Sequence, residues 1–474
     1  MKHGDELNVR LERFAFEGKS IAHVDGLVVF VTGGVPGDET RVRVVKVKKQ
    51  FAEAVAREVL SPSPLRTTPR CRYAGECGGC VWQHVEYQAQ LQFKQEHVRD
   101  ALERIGGFVN VPVNSTYGSE AVYYYRNKME FSFGERWIPQ RELDRRSQNQ
   151  ASGEAERFAL GLHIPRRFDK VLDLEECHLQ SERSSRLVNA VRSFCRQEHL
   201  TMYSTTTHTG YLRNLVVRES AHTGECMVNM VTSEDRPEVM QRLTNYLVKE
   251  FPSITTVVNN ITQRKSQVAI GETERVSFGS GFITEKIGKR IYHISANSFF
   301  QTNTRQAEVL YDAVARMADL RDADSVFDLY SGTGTIALHV ADKVREVVGI
   351  EAVGSAVEDA RQNAVSNGVG NCTFLLGDLK EKLTKDTGWL QGRSAPNVVI
   401  VDPPRAGMHE KVTKSLLELL PERVIYVSCN PATQARDLRL LCSNSAYSII
   451  EVQPVDMFPH TYHIENVVSV HRQT

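Results

Sequence analysis

No apolar run in the sequence approaches the roughly 18 residues a membrane span needs, and the opening stretch MKHGDELNVRLERF contains no apolar core of a signal peptide. No membrane partner is indicated, and the cytoplasm is the expected compartment. Charge of one sign is not in excess either: 58 Lys and Arg balance 58 Asp and Glu. Net charge therefore implies no polyanion partner, although a neutral total can conceal local patches. Nine cysteines, an odd number in so long a chain, do not suggest a disulfide framework. In a reducing compartment, clustered cysteines point to metal and isolated ones to core or catalysis. There is no internal repeat, and no obligate protein partner is evident.

At 474 residues the chain exceeds the roughly 250 to 300 residues at which one core stops growing, so two or three domains are expected. Residues 1–62 alternate apolar and polar positions in GLVVFV, TRVRVVKVKK and EAVAREVL around the turn signal TGGVPGDE, which predicts a small β-barrel. Arg41, Arg43, Lys46, Lys48 and Lys49 place cations on one side of its second strand, suiting a charge-guarded edge or a phosphate-contacting surface equally. SPSPLRTTPR reads as a linker into residues 63–290. That region mixes strand-like KMEFSFG and LRNLVVRE with helical stretches such as RPEVMQRLTNYLVKEF, an α+β pattern. The polar insert at 135–159 reads as a loop. From 291 to 474 the apolar strands SVFDLY, EVVGIE, CTFLLGD, NVVIVD and RVIYVS alternate with helices, as a doubly wound α/β sheet requires. SIIEVQPV and NVVSVHR, with no helix evident between them, predict a closing antiparallel hairpin.

The first of these strands runs into DLYSGTGTIAL, where Gly332 and Gly334 allow a tight turn and close approach to a ligand. The third glycine of a dinucleotide fingerprint is missing. Glu351 ends the next strand, where a carboxylate can accept hydrogen bonds from both ribose hydroxyls. Asp378 follows the third strand and suits an adenine edge. S-adenosylmethionine carries no phosphate and does not need the missing glycine, so methyl transfer is the favoured chemistry. VDPPR ends the fourth strand, its two prolines stiffening a loop for a planar substrate.

Cys429 ends the fifth strand, followed by Asn430 as an N-cap and Pro431 at the first helical position. A core cysteine is the ordinary alternative. A helix amino terminus favours the thiolate, however, and a thiolate adding to carbon 6 of uracil makes carbon 5 nucleophilic. A base must then remove the carbon 5 proton. Glu465, just before the last strand, is the candidate, with His460 and His463 as alternatives.

FFQTN, DLYSGTGTIAL, DPPRAG, SCNPATQARDL and FPHTYHIENV, in this order, resemble the RNA 5-methyluridine (uracil-C5) methyltransferase family over nearly the whole chain. The resemblance implies a Rossmann-like methyltransferase domain that transfers methyl from S-adenosylmethionine to carbon 5 of a uridine. It makes Cys429 the nucleophile and Glu465 the base, with Gln301, Tyr330, Thr335, Glu351, Asp378 and Asp402 as S-adenosylmethionine contacts. The amino-terminal barrel is similar to a TRAM domain, an OB-like RNA-binding module, which favours phosphate contact for its cations. CRYAGECGGCVWQH holds Cys71, Cys77 and Cys80 as C-x5-C-x2-C, and LEECHLQ supplies Cys177. By spacing alone these thiolates could bind zinc or an iron–sulfur cluster. Family members with this arrangement imply a [4Fe-4S] cluster, hence a central iron–sulfur domain, with His84 and His178 as reserve ligands. Cys195, Cys226, Cys372 and Cys442 are left as core residues.

TRAM domain and cluster together resemble the 23S ribosomal RNA branch more than the transfer RNA branch, and the target is expected to be a loop nucleotide that can be flipped out. Competing readings are a radical S-adenosylmethionine enzyme, disfavoured by the cysteine spacing, and an exocyclic-amine methyltransferase, which would need neither Cys429 nor Glu465. A 5-methylcytosine enzyme would share the thiol addition, and a non-catalytic RNA-binding or assembly factor would need neither side chain.

Overall fold

The computed structural model describes residues 1–138, 157–165, 167–266, 268–384, 388–390, 395–443 and 445–473. Strands β1 (Glu6–Arg10), β2 (Arg13–Phe14), β3 (Ser20–Val24), β4 (Leu27–Thr32), β5 (Glu39–Val47) and β6 (Phe51–Ser61) form one sheet in the order β1-β5-β6-β4-β3-β2. β1 and β2 are halves of one bent stretch, and pairing one half to each edge curls the sheet into a barrel; the Glu12 N–H at the bend donates to the Ile21 carbonyl. Val9, Leu11, Ala22, Val29, Val31, Val42, Ala52 and Ala54 fill it, the inward set of the alternating pattern. The cations of β5 are less available than their sequence suggests. Arg41 pairs with Glu58 at 2.7 Å and Lys46 with Glu53 at 3.2 Å, each its cross-strand neighbour on β6.

In the middle of the chain, β7 (Lys128–Arg136), β8 (Phe158–Ile164), β9 (Arg167–Asp173), β10 (Leu212–Glu219), β11 (Cys226–Thr232), β12 (Ile254–Ile261) and β13 (Thr273–Phe278) make a second sheet, ordered β13-β12-β11-β10-β7-β8-β9. Helices Glu182–Gln197 and Pro237–Glu250 pack on it through Leu187, Val191, Leu243 and Leu247. Cys195 and Cys226 lie in that core, while Cys372 and Cys442 are half-buried at the margins of two others. The stretch 135–159, expected as a loop, is strand at both ends. Glu135 and Arg136 belong to β7, and Phe158 and Ala159 to β8, with Glu135 opposite Phe158. The edge-on contact of Phe133 with Phe158 at 5.9 Å supplies the apolar reason. Residues 139–156 lie outside the described residues.

The hairpin β14 (Phe282–Ile287) and β15 (Arg290–Ser295) precedes the third sheet. This sheet comprises β16 (Ser325–Leu329), β17 (Glu346–Glu351), β18 (Cys372–Leu376), β19 (Val398–Val401), β20 (Arg423–Ser428), β21 (Tyr447–Val455) and β22 (Glu465–Arg472), in the order β18-β17-β16-β19-β20-β22-β21. Alternate residues feed two cores: Val326, Ile400 and Ile425 on one face, Phe327, Val399 and Val424 on the other. The strand order reverses beside β16, making a switch point where ligands bind. The closing hairpin forms as expected, and its second strand, β22, inserts antiparallel beside β20.

Residues 87–117, part of the stretch expected to form the middle unit, pack on this third sheet. Val98, Ala101 and Leu102 enter its second core, and Val113 and Tyr117 bridge to Val452 and Val455 of β21. The helix Tyr87–Ala101 buries a stripe of Ala89, Gln90, Phe93, Lys94, Val98 and Ala101. Lys94 is balanced by Asp456 at 2.5 Å, both side chains wholly buried. Lys94→Met is expected to destabilise the fold by about 3–5 kcal/mol, because it leaves a buried carboxylate uncompensated. A urea midpoint measures the loss, and the double variant Lys94→Met/Asp456→Leu should recover most of it. Among the described residues no helix is long and apolar enough to cross a membrane.

Candidate active site

The carboxyl ends of the parallel strands converge on one edge of the third sheet. β16 leads into Tyr330, which holds a positive φ of 64°; its N–H and that of Ser331 both donate to the Ile350 carbonyl, at 3.0 and 3.1 Å. Gly334, at φ 77°, caps the helix Thr335–Val340, and a Cβ there would lie 2.7 Å from the Phe374 ring. Only glycine meets both demands. Glu351 braces the same loop: Oε2 accepts the Gly332 N–H at 3.0 Å and Oε1 the Val353 N–H at 2.8 Å. Each oxygen retains a lone pair for a ribose hydroxyl.

Thr335 shares a hydrogen bond with the Tyr311 hydroxyl at 3.0 Å. Asp378 lies two residues beyond the end of β18, exposed, as the N-cap of Leu379–Lys382, accepting the Lys380 N–H at 2.9 Å. That hydrogen bond holds its carboxyl below the ordinary range. Gln301 is buried, and its carbonyl accepts from Asn127 Nδ2 at 2.8 Å. Asp402 directly follows β19, its N–H donating to Leu329 O at 3.3 Å, and so sits beside the glycine loop.

Cys429 and Glu465 come together through strand register. Ser428 of β20 stands opposite Asn466 of β22, so the next residue outward on each strand is Cys429 on one and Glu465 on the other. Antiparallel partners stand about 4.5–5.5 Å apart at Cα. The helix amino terminus was expected to favour the thiolate; the surroundings do the opposite. Burial, then the charge of Glu465, push the Cys429 thiol up to about 11, with Arg405 opposing. Glu465, 5% exposed, is pushed well above the carboxylate range by burial and then by Asp402. Burial likewise raises Asp402 to about 7 and Asp328 to about 8.

Arg405 stands in the sequence only as part of the VDPPR loop, yet it is the cation whose charge acts on both Cys429 and Glu465. Its carbonyl accepts from Asn430 Nδ2 at 3.1 Å and the Thr433 hydroxyl at 3.2 Å, which ties the loop to the helix after Cys429. Its guanidinium lies 3.3 Å from His463 Nδ1. Burial pushes both His463 and His460 down to about 4, leaving Glu465 the strongest base of the three.

Three acids with raised pKa values make the native chain bind more protons than the unfolded chain above their ordinary range. The contribution of these acids to stability should therefore fall as pH rises from about 4 towards 8, the window between the ordinary and folded values of Asp328 and Asp402, while His460 and His463, held down at about 4, contribute in the opposite sense up to their ordinary value. Asp402→Asn is expected to flatten that part of the profile, measured as denaturant midpoint against pH.

A second constellation is formed by the clustered cysteines. Cys71, Cys77, Cys80 and Cys177 line one cavity of about 410 Å³, together with Arg126, Lys128 and His178; His84 is not among its walls. Burial first, then the neighbouring thiols, push Cys77 and Cys80 up to about 12. Among the described residues no group of three or more His, Cys, Asp or Glu side chains is arranged to hold a metal ion.

A doubly wound sheet with a glycine loop after its first strand, an acid after its second and a thiol–carboxylate pair on its fifth and last strands defines an S-adenosylmethionine-type methyltransferase. Comparison with known proteins refines the class. Residues 266–473 match the family described as tRNA (Uracil-5-)-methyltransferase, and residues 1–56 match the TRAM domain. A protein of Chlorobaculum tepidum named as an RNA methyltransferase is 43% identical, the match covering 99% of this chain and 97% of that one. A similarly named protein of Porphyromonas gingivalis is 42% identical over 97% and 98%. The structure of Pyrococcus abyssi tRNA (uracil-54, C5)-methyltransferase in complex with S-adenosyl-L-homocysteine aligns with a TM-score of 0.74 at 30% identity, covering 98% of this chain and 100% of that one. The chain belongs to the RNA uracil-5-methyltransferase family.

Proposed function

We propose that the chain methylates carbon 5 of a uridine in RNA through a transient bond between Cys429 Sγ and carbon 6 of the base. The apposition of Cys429 and Glu465 across β20 and β22, at the switch-point edge, carries this reading. S-adenosylmethionine supplies an electrophilic methyl group on a sulfonium. Cys429 adds to carbon 6, and the displaced π electrons make carbon 5 nucleophilic. Once carbon 5 is methylated, Glu465 takes its proton, the C5=C6 bond reforms and the sulfur leaves. The raised pKa of Glu465 makes it a stronger base than an exposed carboxylate. RNA carrying 5-fluorouridine tests the scheme: fluorine cannot leave as a proton, so a Cys429-dependent covalent adduct should persist through denaturation. Its absence overturns the reading.

Gln301, Tyr330, Thr335, Glu351, Asp378 and Asp402 are the proposed contacts of the methyl donor. Glu351→Ala removes both the ribose acceptor and the brace on Gly332. It should weaken S-adenosylhomocysteine binding by about 10- to 100-fold, measured by calorimetry, as expected for losing hydrogen bonds to a charged group.

For Cys71, Cys77, Cys80 and Cys177 we propose a [4Fe-4S] cluster within residues 63–290, between an RNA-binding unit at 1–62 and the methyltransferase unit at 291–474. The shared cavity supports it. One tetrahedral zinc would draw its thiolates to within ~4 Å of one another, whereas a cubane occupies a larger space. Iron content and visible absorption of anaerobically prepared protein, with and without Cys80→Ser, decide between them.

The proposed substrate is 23S ribosomal RNA in the cytoplasm, supported by the pairing of a TRAM domain with the four cysteines. Transfer RNA is the second reading, favoured by the likeness to the Pyrococcus abyssi enzyme. Mapping 5-methyluridine in both RNAs from cells with and without the protein separates the two.

A further inference from the structure

The loop that delivers Glu465, from Asp456 to Ile464, is held largely by residues 81–125. Lys94 Nζ donates to Asp456 Oδ1 at 2.5 Å and to the Phe458 carbonyl at 3.1 Å. The Tyr87 hydroxyl donates to Asp456 Oδ2 at 2.9 Å, and the Tyr125 hydroxyl to the Pro459 carbonyl at 3.2 Å. Gln90, wholly buried, stands at the centre. Its Oε1 accepts the His460 N–H at 2.8 Å, while Nε2 donates to the Trp82 carbonyl at 3.1 Å and the Val85 carbonyl at 2.8 Å.

The His460 carbonyl in turn accepts both the Val81 N–H at 3.0 Å and the Trp82 N–H at 2.9 Å. His460 holds a φ of 66°, a conformation that persists in a non-glycine residue only where its surroundings enforce it. Tyr123 packs on its ring at 4.5 Å. Val81 and Trp82 directly follow Cys80. The strand pairing alone fixes where β22 starts; this clamp fixes the turn that approaches it.

We propose that Gln90 is a positioning residue for the reaction, holding the turn through His460 so that Glu465 meets the carbon 5 proton, and linking that placement to the loop after Cys80. This rests on the function proposed above. The affected step is the last one. Glu465 accepts the carbon 5 proton, the C5–H electron pair becomes the C5=C6 π bond, and the C6–S pair departs with Cys429 as thiolate. Cys429 itself is carried by β20 and the helix after it, whose cap is tied to the Arg405 loop, so bond formation at carbon 6 does not depend directly on Gln90.

Gln90→Met keeps the volume of the side chain and removes its hydrogen bonds. With uridine RNA, turnover should fall about 10- to 100-fold, the cost of a misplaced catalytic group. KM for RNA should fall with turnover so that kcat/KM is little changed, as slowing a step after adduct formation requires, and a methylated, denaturation-resistant RNA–protein adduct should accumulate. With 5-fluorouridine RNA the rate of adduct formation should stay within about twofold of the wild type, since that rate does not involve the elimination. Tyr125→Phe, which deletes one hydrogen bond to the same turn, should shift the same readouts in the same direction by a smaller factor, and it decides the matter if Gln90→Met does not fold. The inference is overturned if turnover and fluorouridine adduct formation fall together without adduct from uridine RNA, or if neither changes. A wild-type chain that forms no fluorouridine adduct overturns the underlying chemistry, and this inference with it, whatever the variants do.

Discussion

Cys429→Ala is expected to abolish methyl transfer, lowering kcat by about 10⁴-fold or more, the scale seen when one member of a catalytic unit is deleted. The loss should be chemical. Ser428 keeps its pairing in β20, Asn430 still caps the following helix through the Ala432 N–H at 3.1 Å, and the loop of Arg405 remains tied to Asn430. RNA affinity and S-adenosylhomocysteine affinity should be within about twofold of the wild type, because only a half-buried thiol at a strand end has been removed. Incorporation of labelled methyl into RNA measures the first quantity, and gel retardation and calorimetry the others. No adduct should form with 5-fluorouridine RNA. A variant that still methylates would show the thiol to be a packing residue, as most cysteines in apolar strands are.

Glu465→Gln should lower turnover by about 10²- to 10⁴-fold, the usual contribution of a general base. It should leave a signature that Cys429→Ala cannot, because with the base gone the sulfur stays bonded to carbon 6 and adduct accumulates from ordinary uridine RNA. The electrostatics add a second sign. Glu465 is one of the groups that raise the Cys429 thiol, so neutralising it should lower that pKa and move adduct formation to lower pH. In the wild type, elimination requires ionised Glu465, whose folded pKa lies above the carboxylate range. Its rate should therefore rise with pH through that folded value. An elimination rate that is flat from pH 5 to 8, or adduct formation unmoved in pH by Glu465→Gln, would contradict the assignment.

Several parts of this site were legible in the residues. The strands at 325–329, 398–401 and 423–428 are largely apolar because both their faces are covered, Asp328 being the interior exception, so each announces itself without reference to the rest of the chain. Gly334 was legible for a different reason: its φ of 77° and the nearby Phe374 ring leave room for no side chain. The insert at 135–159 misled at its ends, where the apolar pairing of Phe133 and Phe158 prevailed over local polarity. Asp378 was placed at a strand end and is a helix cap, a difference of two residues that propensity does not resolve. The five cations from Arg41 to Lys49, three of them in β5, read as one surface, but cross-strand acids stand opposite Arg41 and Lys46.

Gln90 and Lys94 left only a faint trace, two polar residues within the apolar stripe of the helix Tyr87–Ala101. Their partners lie more than 360 residues away. Local pattern, turn chemistry and motif order depend on neighbours in the chain, and from them follow the layered architecture, the glycine loop, the four-cysteine set and the family. The pKa of the thiol, the pairing of Cys429 with Glu465 and the clamp on the Asp456–Ile464 loop depend on burial and on the register of distant strands. Those quantities exist only once β22 has inserted beside β20, because desolvation and hydrogen bonding are properties of groups brought together in space.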